Sequence, residues 1–168
     1  MFFRYSRKRF KDLSEQEILA LAISSEEDDA RIYRGYAAHL QHEYPDSAKV
    51  FEGMAKEEDT HRRRLIDLYR QRFGDVIPLI RREHVAGYYH RRPVWLVESL
   101  RLEEIRAEVA GMERDAERFF LKAVENTSDA ATRKLLGDLA SAEAGHQRKA
   151  DKLEEKHLTA EALETCLL

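Results

Sequence analysis

Apolar residues recur along this chain in alternating steps of four and three, the spacing of helices that each bury one face. Four such stripes can be traced. The first holds Leu19, Ile23, Glu26, Ala30, Tyr33, Ala37 and Leu40, and the second Phe51, Met54, Glu58, His61, Leu65 and Leu68. The third runs through Leu102, Val109, Glu113, Ala116, Phe120 and Ala123, and the fourth through Leu136, Leu139, Glu143, His146, Ala150 and Leu153. Each stripe is apolar at its ends and polar in its middle.

Local signals set the expected limits of the four helices. In "LSEQEIL", Ser14 and Glu17 form a capping-box pattern that satisfies two otherwise unpaired backbone N–H groups, and this first helix should run to about Gln41. Pro45 disfavours helical geometry at Tyr44, so Asp46 or Ser47 is expected to cap a second helix that ends at Phe73, before Gly74. Residues 75–92 show no sustained period. Pro93 suits the first turn of a third helix continuing to about Asn126, and "NTSD" caps a fourth ending near His157. Two tight connections and one crossover of nearly twenty residues predict an all-α four-helix bundle whose long link joins helices 2 and 3. A short helix around "PLIRREHV" is expected inside that link.

Composition narrows the picture without changing it. Seven Gly and three Pro in 168 residues favour helix over sheet in one domain. The 32 acidic residues nearly balance 29 basic ones, so no polyanionic partner is indicated and nucleic acid is not expected. A single cysteine, Cys166, leaves no internal disulfide, which fits a cytoplasmic setting. The opening "MFFRYSRKRFK" is read as a solvated basic arm over residues 1–12, the bundle as 13–158 and a tail as 159–168. No stretch approaches the roughly 20 apolar residues of a membrane span.

The chemistry lies in the polar middles. Glu58 with His61 and Glu143 with His146 repeat Glu-x-x-His, and positions i and i+3 share one helix face. Helix 1 adds Glu26, with Glu27 as the alternative, and helix 3 adds Glu113. Glu26 is preferred because Tyr33 follows seven residues on, as Phe120 follows Glu113, whereas Glu27 would bring Arg34 to the seam. "EEDDARIYRGYA" and "ERDAERFFLKAV" extend this into an internal repeat, each followed by a Glu-x-x-His. Counted from the connections, the polar residues sit within about one helical turn of a common height. Four carboxylates and two imidazoles in an apolar seam would be strongly destabilising alone. Two divalent cations would neutralise them, and oxygen and imidazole donors without thiolates suit iron, manganese or zinc.

A Glu from each of two helices plus Glu-x-x-His from each of the other two resembles the di-iron carboxylate site of the ferritin-like superfamily. Within it, "SSEEDDARIYRGYA", "AKEEDTHRRRLIDLYRQRFGD", "IPLIRREHV" and "RRPVWLVESL" resemble erythrin, the rubrerythrin-like domain at the front of membrane-bound ferritins. The resemblance implies a ferritin-like bundle in which Glu26, Glu58, His61, Glu113, Glu143 and His146 hold two iron ions. It further implies Fe(II) oxidation by O₂ or H₂O₂, in iron homeostasis, iron export and peroxide resistance. Alternatives are a rubrerythrin-like peroxidase, a dimanganese catalase, or a non-enzymatic iron-storage or metal-regulated interaction module. Relatives continue into a vacuolar-iron-transporter-like membrane domain, so this chain is expected to be a free cytosolic domain or the cytosolic part of an inner-membrane protein. Where rubrerythrins often carry a further glutamate, three residues after Glu113, this chain has Ala116.

Other residues take plainer readings. Met54 is a core residue, His39 and His42 favour a helix end, and Glu57, Asp59 and Glu108 belong to solvated acidic faces. Tyr33 has three readings: packed in the core with its hydroxyl satisfied, bonded to a ligand carboxylate, or a redox-active phenol. The apolar and aromatic content of the crossover, "VIPLI" and "YYH", exceeds what a solvent-facing link needs and predicts a homodimer.

Overall fold

The computed structural model describes residues 7–88, 90, 91, 93, 96 and 100–165, with side chains through residue 146 and at Arg148. Four helices dominate it: α1 (Glu15–Leu40), α2 (Pro45–Phe73), α3 (Leu102–Glu125) and α4 (Ala130–Thr165). The extensive contacts are α1 on α2 and α3 on α4, so the chain forms two helical hairpins joined by the long crossover. This is the expected all-α four-helix bundle.

The caps explain where the helices begin. Ser14 and Glu17 make the reciprocal capping box at the start of α1. At α4, Asp129 accepts from the backbone N–H and the hydroxyl of Thr132, both at 2.8 Å, so the "NTSD" signal holds. Three boundaries differ from expectation. The first helical position of α2 is Pro45, with Tyr44 in the capping place, because a proline there lacks only an N–H that would have no partner anyway. Helix α3 starts at Leu102 rather than at Pro93; Glu104 turns back to accept from the Arg101 N–H at 2.8 Å and fixes the start there. Helix α4 runs on to Thr165, beyond His157.

Gly74, at φ 86°, ends α2 in a conformation that favours glycine. The crossover then folds onto the bundle. Ile80 and Val85 are buried, the Ser24 hydroxyl donates to Ile80 O at 2.8 Å, and the "PLIRREHV" segment holds one 3₁₀ turn, Arg82–His84. Two short parallel strands, β1 (Lys8–Arg9) and β2 (Val85–Ala86), pair Lys8 with Val85 and Arg9 with Ala86. The first residues described are thus anchored to the bundle at Phe10, while Arg7, Lys8, Arg9, Lys11 and Asp12 around it are exposed. Phe10 is buried edge-on against Phe119, with ring centroids 5.8 Å apart, and Leu13 is buried beside it.

The core divides into two apolar clusters. One gathers Ile18, Leu19, Leu65, Tyr69, Phe119, Phe120, Leu136 and Leu139; the other gathers Tyr33, Tyr36, Phe51, Met54, Ile105 and Val109. Between them, α1 to α4 contribute the polar residues at the middles of their stripes. Among the described residues, no helix is long and apolar enough to cross a membrane.

Candidate metal centre

The mid-stripe residues converge. Glu26, Glu58, Glu113, Glu143, His61 and His146 are all buried, from 1% to 7% exposed, in a layer where burial of unpaired charge is costly. They form two groups of four: Glu26, Glu58, His61 and Glu143, and Glu58, Glu113, Glu143 and His146. Within each group one ligand atom per residue lies within 4.8 Å of the others, and Glu58 and Glu143 belong to both. Glu27, the alternative in helix 1, is turned outward, where it meets Arg31 at 2.6 Å.

The imidazoles face each other across the cluster, their rings near parallel at 17° with centroids 5.8 Å apart. His61 Nδ1 lies 3.1 Å from Glu58 Oε2, 3.4 Å from Glu143 Oε1 and 3.5 Å from Glu26 Oε2. His146 Nδ1 lies 3.2 Å from Glu58 Oε1 and 3.4 Å from Glu113 Oε2. Tyr33, on α1, donates its hydroxyl to Glu113 Oε1.

Electrostatics within this layer are strongly perturbed. Burial pushes the Glu26 and Glu143 carboxyls well above the ordinary carboxylate range, and the charge of Glu58 adds to the effect. Burial opposes charge on His61, but hydrogen bonding to Glu143, Glu26 and Glu58 outweighs it and raises the ring to about 12. Burial likewise opposes charge on His146, which Glu113 and Glu58 raise to about 11. Glu58 resists its own burial through the two imidazoles, His146 first, and is held below the usual carboxylate range. Burial, reinforced by Glu113, lifts the Tyr33 phenol well above its ordinary value, so it remains a donor. The protein alone thus settles its cluster by sharing protons between acids and imidazoles.

That settlement leaves loose contacts. Glu26 Oε2, Glu58 Oε1, Glu113 Oε2, Glu143 Oε1 and His146 Nδ1 are buried with only the 3.2–3.5 Å acid–imidazole contacts given above and no well-aligned hydrogen bond, and all five belong to the two groups. Buried polar atoms are nearly always partnered, so this concentration in one layer needs an explanation. Carboxylate oxygens and imidazole nitrogens arranged as two sets with two shared members fit a pair of divalent cations.

Sequence reasoning missed two features. Glu57, read as part of a solvated face, has Oε2 2.6 Å from His146 Nε2. Asp29, one turn beyond Glu26, is buried and takes Arg82 Nη2 at 2.8 Å and Arg91 Nε at 2.9 Å, which fastens the crossover to α1. A buried aspartate in "EEDDA" gives no sign in the sequence of the partners it will meet more than fifty residues later. The remaining candidates lie away from the cluster. His39 Nε2 bonds Leu100 O at 3.0 Å, and His42 is exposed. Asp59 meets Arg34, Met54 packs in the core and Cys166 lies outside the described residues.

Comparison with solved structures places this fold among known ones. A hypothetical protein from Pyrococcus furiosus superposes with a TM-score of 0.69 at 23% identity, covering 92% of this chain and 98% of its own. A Thermotoga maritima protein assigned as a ferritin-like diiron-carboxylate protein gives 0.68 at 18% identity, covering 86% of this chain and 97% of its own. No curated protein matches the sequence significantly. The family described as Rubrerythrin matches residues 17–154, which covers all of α2 and α3, most of α1 and α4, and every member of the buried cluster. On the strength of that match and of the bundle that carries it, the chain belongs to the rubrerythrin family.

Proposed function

We propose that this domain holds two iron ions between its helices and oxidises Fe(II), with O₂ or peroxide accepting the electrons, as part of iron homeostasis in the cytoplasm. The observation that carries this reading is the pair of four-residue groups sharing Glu58 and Glu143. Glu58 and Glu143 would serve both positions, with Glu26 and His61 completing one and Glu113 and His146 the other. Four carboxylates balance the charge of two divalent cations, and a carboxylate-rich donor set favours the ferric state. The diiron-carboxylate assignment of the Thermotoga maritima protein supports iron by analogy of fold. Held by these residues, Fe(II) would supply the electrons that the oxidant accepts.

The chain's own residues provide the setting. The apolar clusters on either side of the layer limit water, which strengthens every electrostatic interaction inside it. Tyr33 fixes Glu113 in place through its hydroxyl and stays protonated in doing so. Anaerobic titration with Fe(II) followed by air is expected to give a ferric absorption band that saturates at about two irons per chain. A protein that binds Fe(II) but shows no band with air or with H₂O₂ would refute the oxidation.

A further inference from the structure

The internal repeat allows the two halves of the cluster to be compared residue by residue. Glu26 corresponds to Glu113 and Tyr33 to Phe120; Glu58 corresponds to Glu143, His61 to His146 and Glu57 to Ala142. The acids and imidazoles that face inward are the same in both halves. Their supports are not. His146 turns Nδ1 toward Glu58 and Glu113 while its Nε2 meets Glu57 Oε2 at 2.6 Å, so the ring is held from both sides. Glu113 is held by the Tyr33 hydroxyl. In the other half, the residues at the corresponding sequence positions are Ala142 and Phe120, whose methyl group and phenyl ring carry no hydrogen-bonding group.

We propose that Glu57 is a positioning residue for His146, and that with Tyr33 it makes the Glu113/His146 position the tighter of two unequal metal positions. The Glu26/His61 position is then the one from which a cation exchanges. The inference rests on the metal reading given above. Its physical basis is the role of a carboxylate behind a ligating imidazole. Accepting from Nε2–H, Glu57 selects the tautomer whose Nδ1 lone pair points into the cluster, fixes the ring plane and raises the basicity of the donor nitrogen. Loss of such a partner typically weakens metal affinity by about 10-fold to 100-fold. Glu57 lies on α2 and His146 on α4, so this support also ties one hairpin to the other at the height of the site.

The test is a titration of the metal-free full chain with Mn(II), following the free ion by electron paramagnetic resonance. The unmutated protein should bind in two steps separated by roughly tenfold or more. Glu57→Gln should weaken the first step by about 10-fold to 100-fold and leave the second in place, so that the steps merge or reverse. Tyr33→Phe should act on the same step. Glu26→Ala should remove the weaker step and Glu113→Ala the tighter one, which assigns each step to its half. A general structural role for Glu57 would weaken both steps alike, and that result would overturn the proposal. Two equal steps in the unmutated protein would overturn it as well. If the unmutated protein binds no Mn(II) at all, the metal reading fails and this inference fails with it.

Discussion

Replacing Asp29 by alanine should destabilise the protein by an amount the geometry sets. Its carboxylate takes three close contacts from two guanidinium groups: Arg82 Nη2 at 2.8 Å, and Arg91 Nε and Nη2 at 2.9 Å and 3.2 Å. Both arginine side chains are under one-tenth exposed, so Asp29→Ala takes from two buried cations the carboxylate that contacts both. Removing one partner of a buried pair costs about 3–5 kcal/mol. Arg82 retains Ser25 O at 2.9 Å, and Arg91 retains Met112 O at 3.1 Å and Asp115 at 3.5 Å. The expected loss therefore lies near the lower end, about 3 kcal/mol, or roughly 6–12 °C in Tm for a domain of this size. Burial alone would raise the Asp29 carboxyl, but Arg82 and then Arg91 overcome it and hold it below its ordinary range. A depressed carboxyl stabilises the fold above its unfolded value of about 3.9, and that contribution is lost as pH falls through the folded value. The difference between Asp29→Ala and the unmutated protein should thus be full at pH 7 and narrow below about pH 3.9. Scanning calorimetry or urea titration at both pH values checks it. A loss under about 1 kcal/mol at pH 7 would refute the reasoning, since that is the scale of an exposed pair.

Three further outcomes follow from the same structure. Divalent metal at 100 times its Kd should raise stability by about 2.7 kcal/mol, and Glu58→Ala should lose most of that gain in melting experiments; an equal gain in both proteins would remove Glu58 from the site. His61 and His146 have folded values raised to about 12 and 11, so the stability their charge gives the metal-free fold is complete below about pH 6.5 and disappears as pH rises through those values. Metal loading at pH 7 must displace such protons, and a weakly buffered indicator solution should acidify on titration with Mn(II); a flat signal would contradict the protonated cluster. Val76 and Leu79 stand 82% and 77% exposed on the crossover, and light scattering is expected to give the mass of a homodimer; a monomer with and without metal would exclude it.

The sequence by itself determined the parts that depend on near neighbours. A stripe of apolar residues every three or four positions is a property of one helix, so the four helices and the depth of Glu26, Glu58, His61, Glu113, Glu143 and His146 could be read directly. Ser14 with Glu17 and the "NTSD" cap were legible for the same reason, since a capping group reaches only three residues ahead. Tertiary structure decided what stands opposite what. Glu57 occupies the position beside the stripe, which reads as solvent-facing on α2 alone; it reaches His146 because another helix, 89 residues away in sequence, passes there. Asp29 would be an expensive burial within α1 considered alone, and it is satisfied by arginines that an aperiodic crossover delivers. The start of α3 at Leu102 and the strand pairing of Lys8 with Val85 likewise depend on where that crossover lies, which no local period encodes. Local spacing fixes which face of each helix is buried, whereas the pairing of charged groups across faces is fixed only once the two hairpins dock, because that is when desolvation forces every buried charge to find its partner.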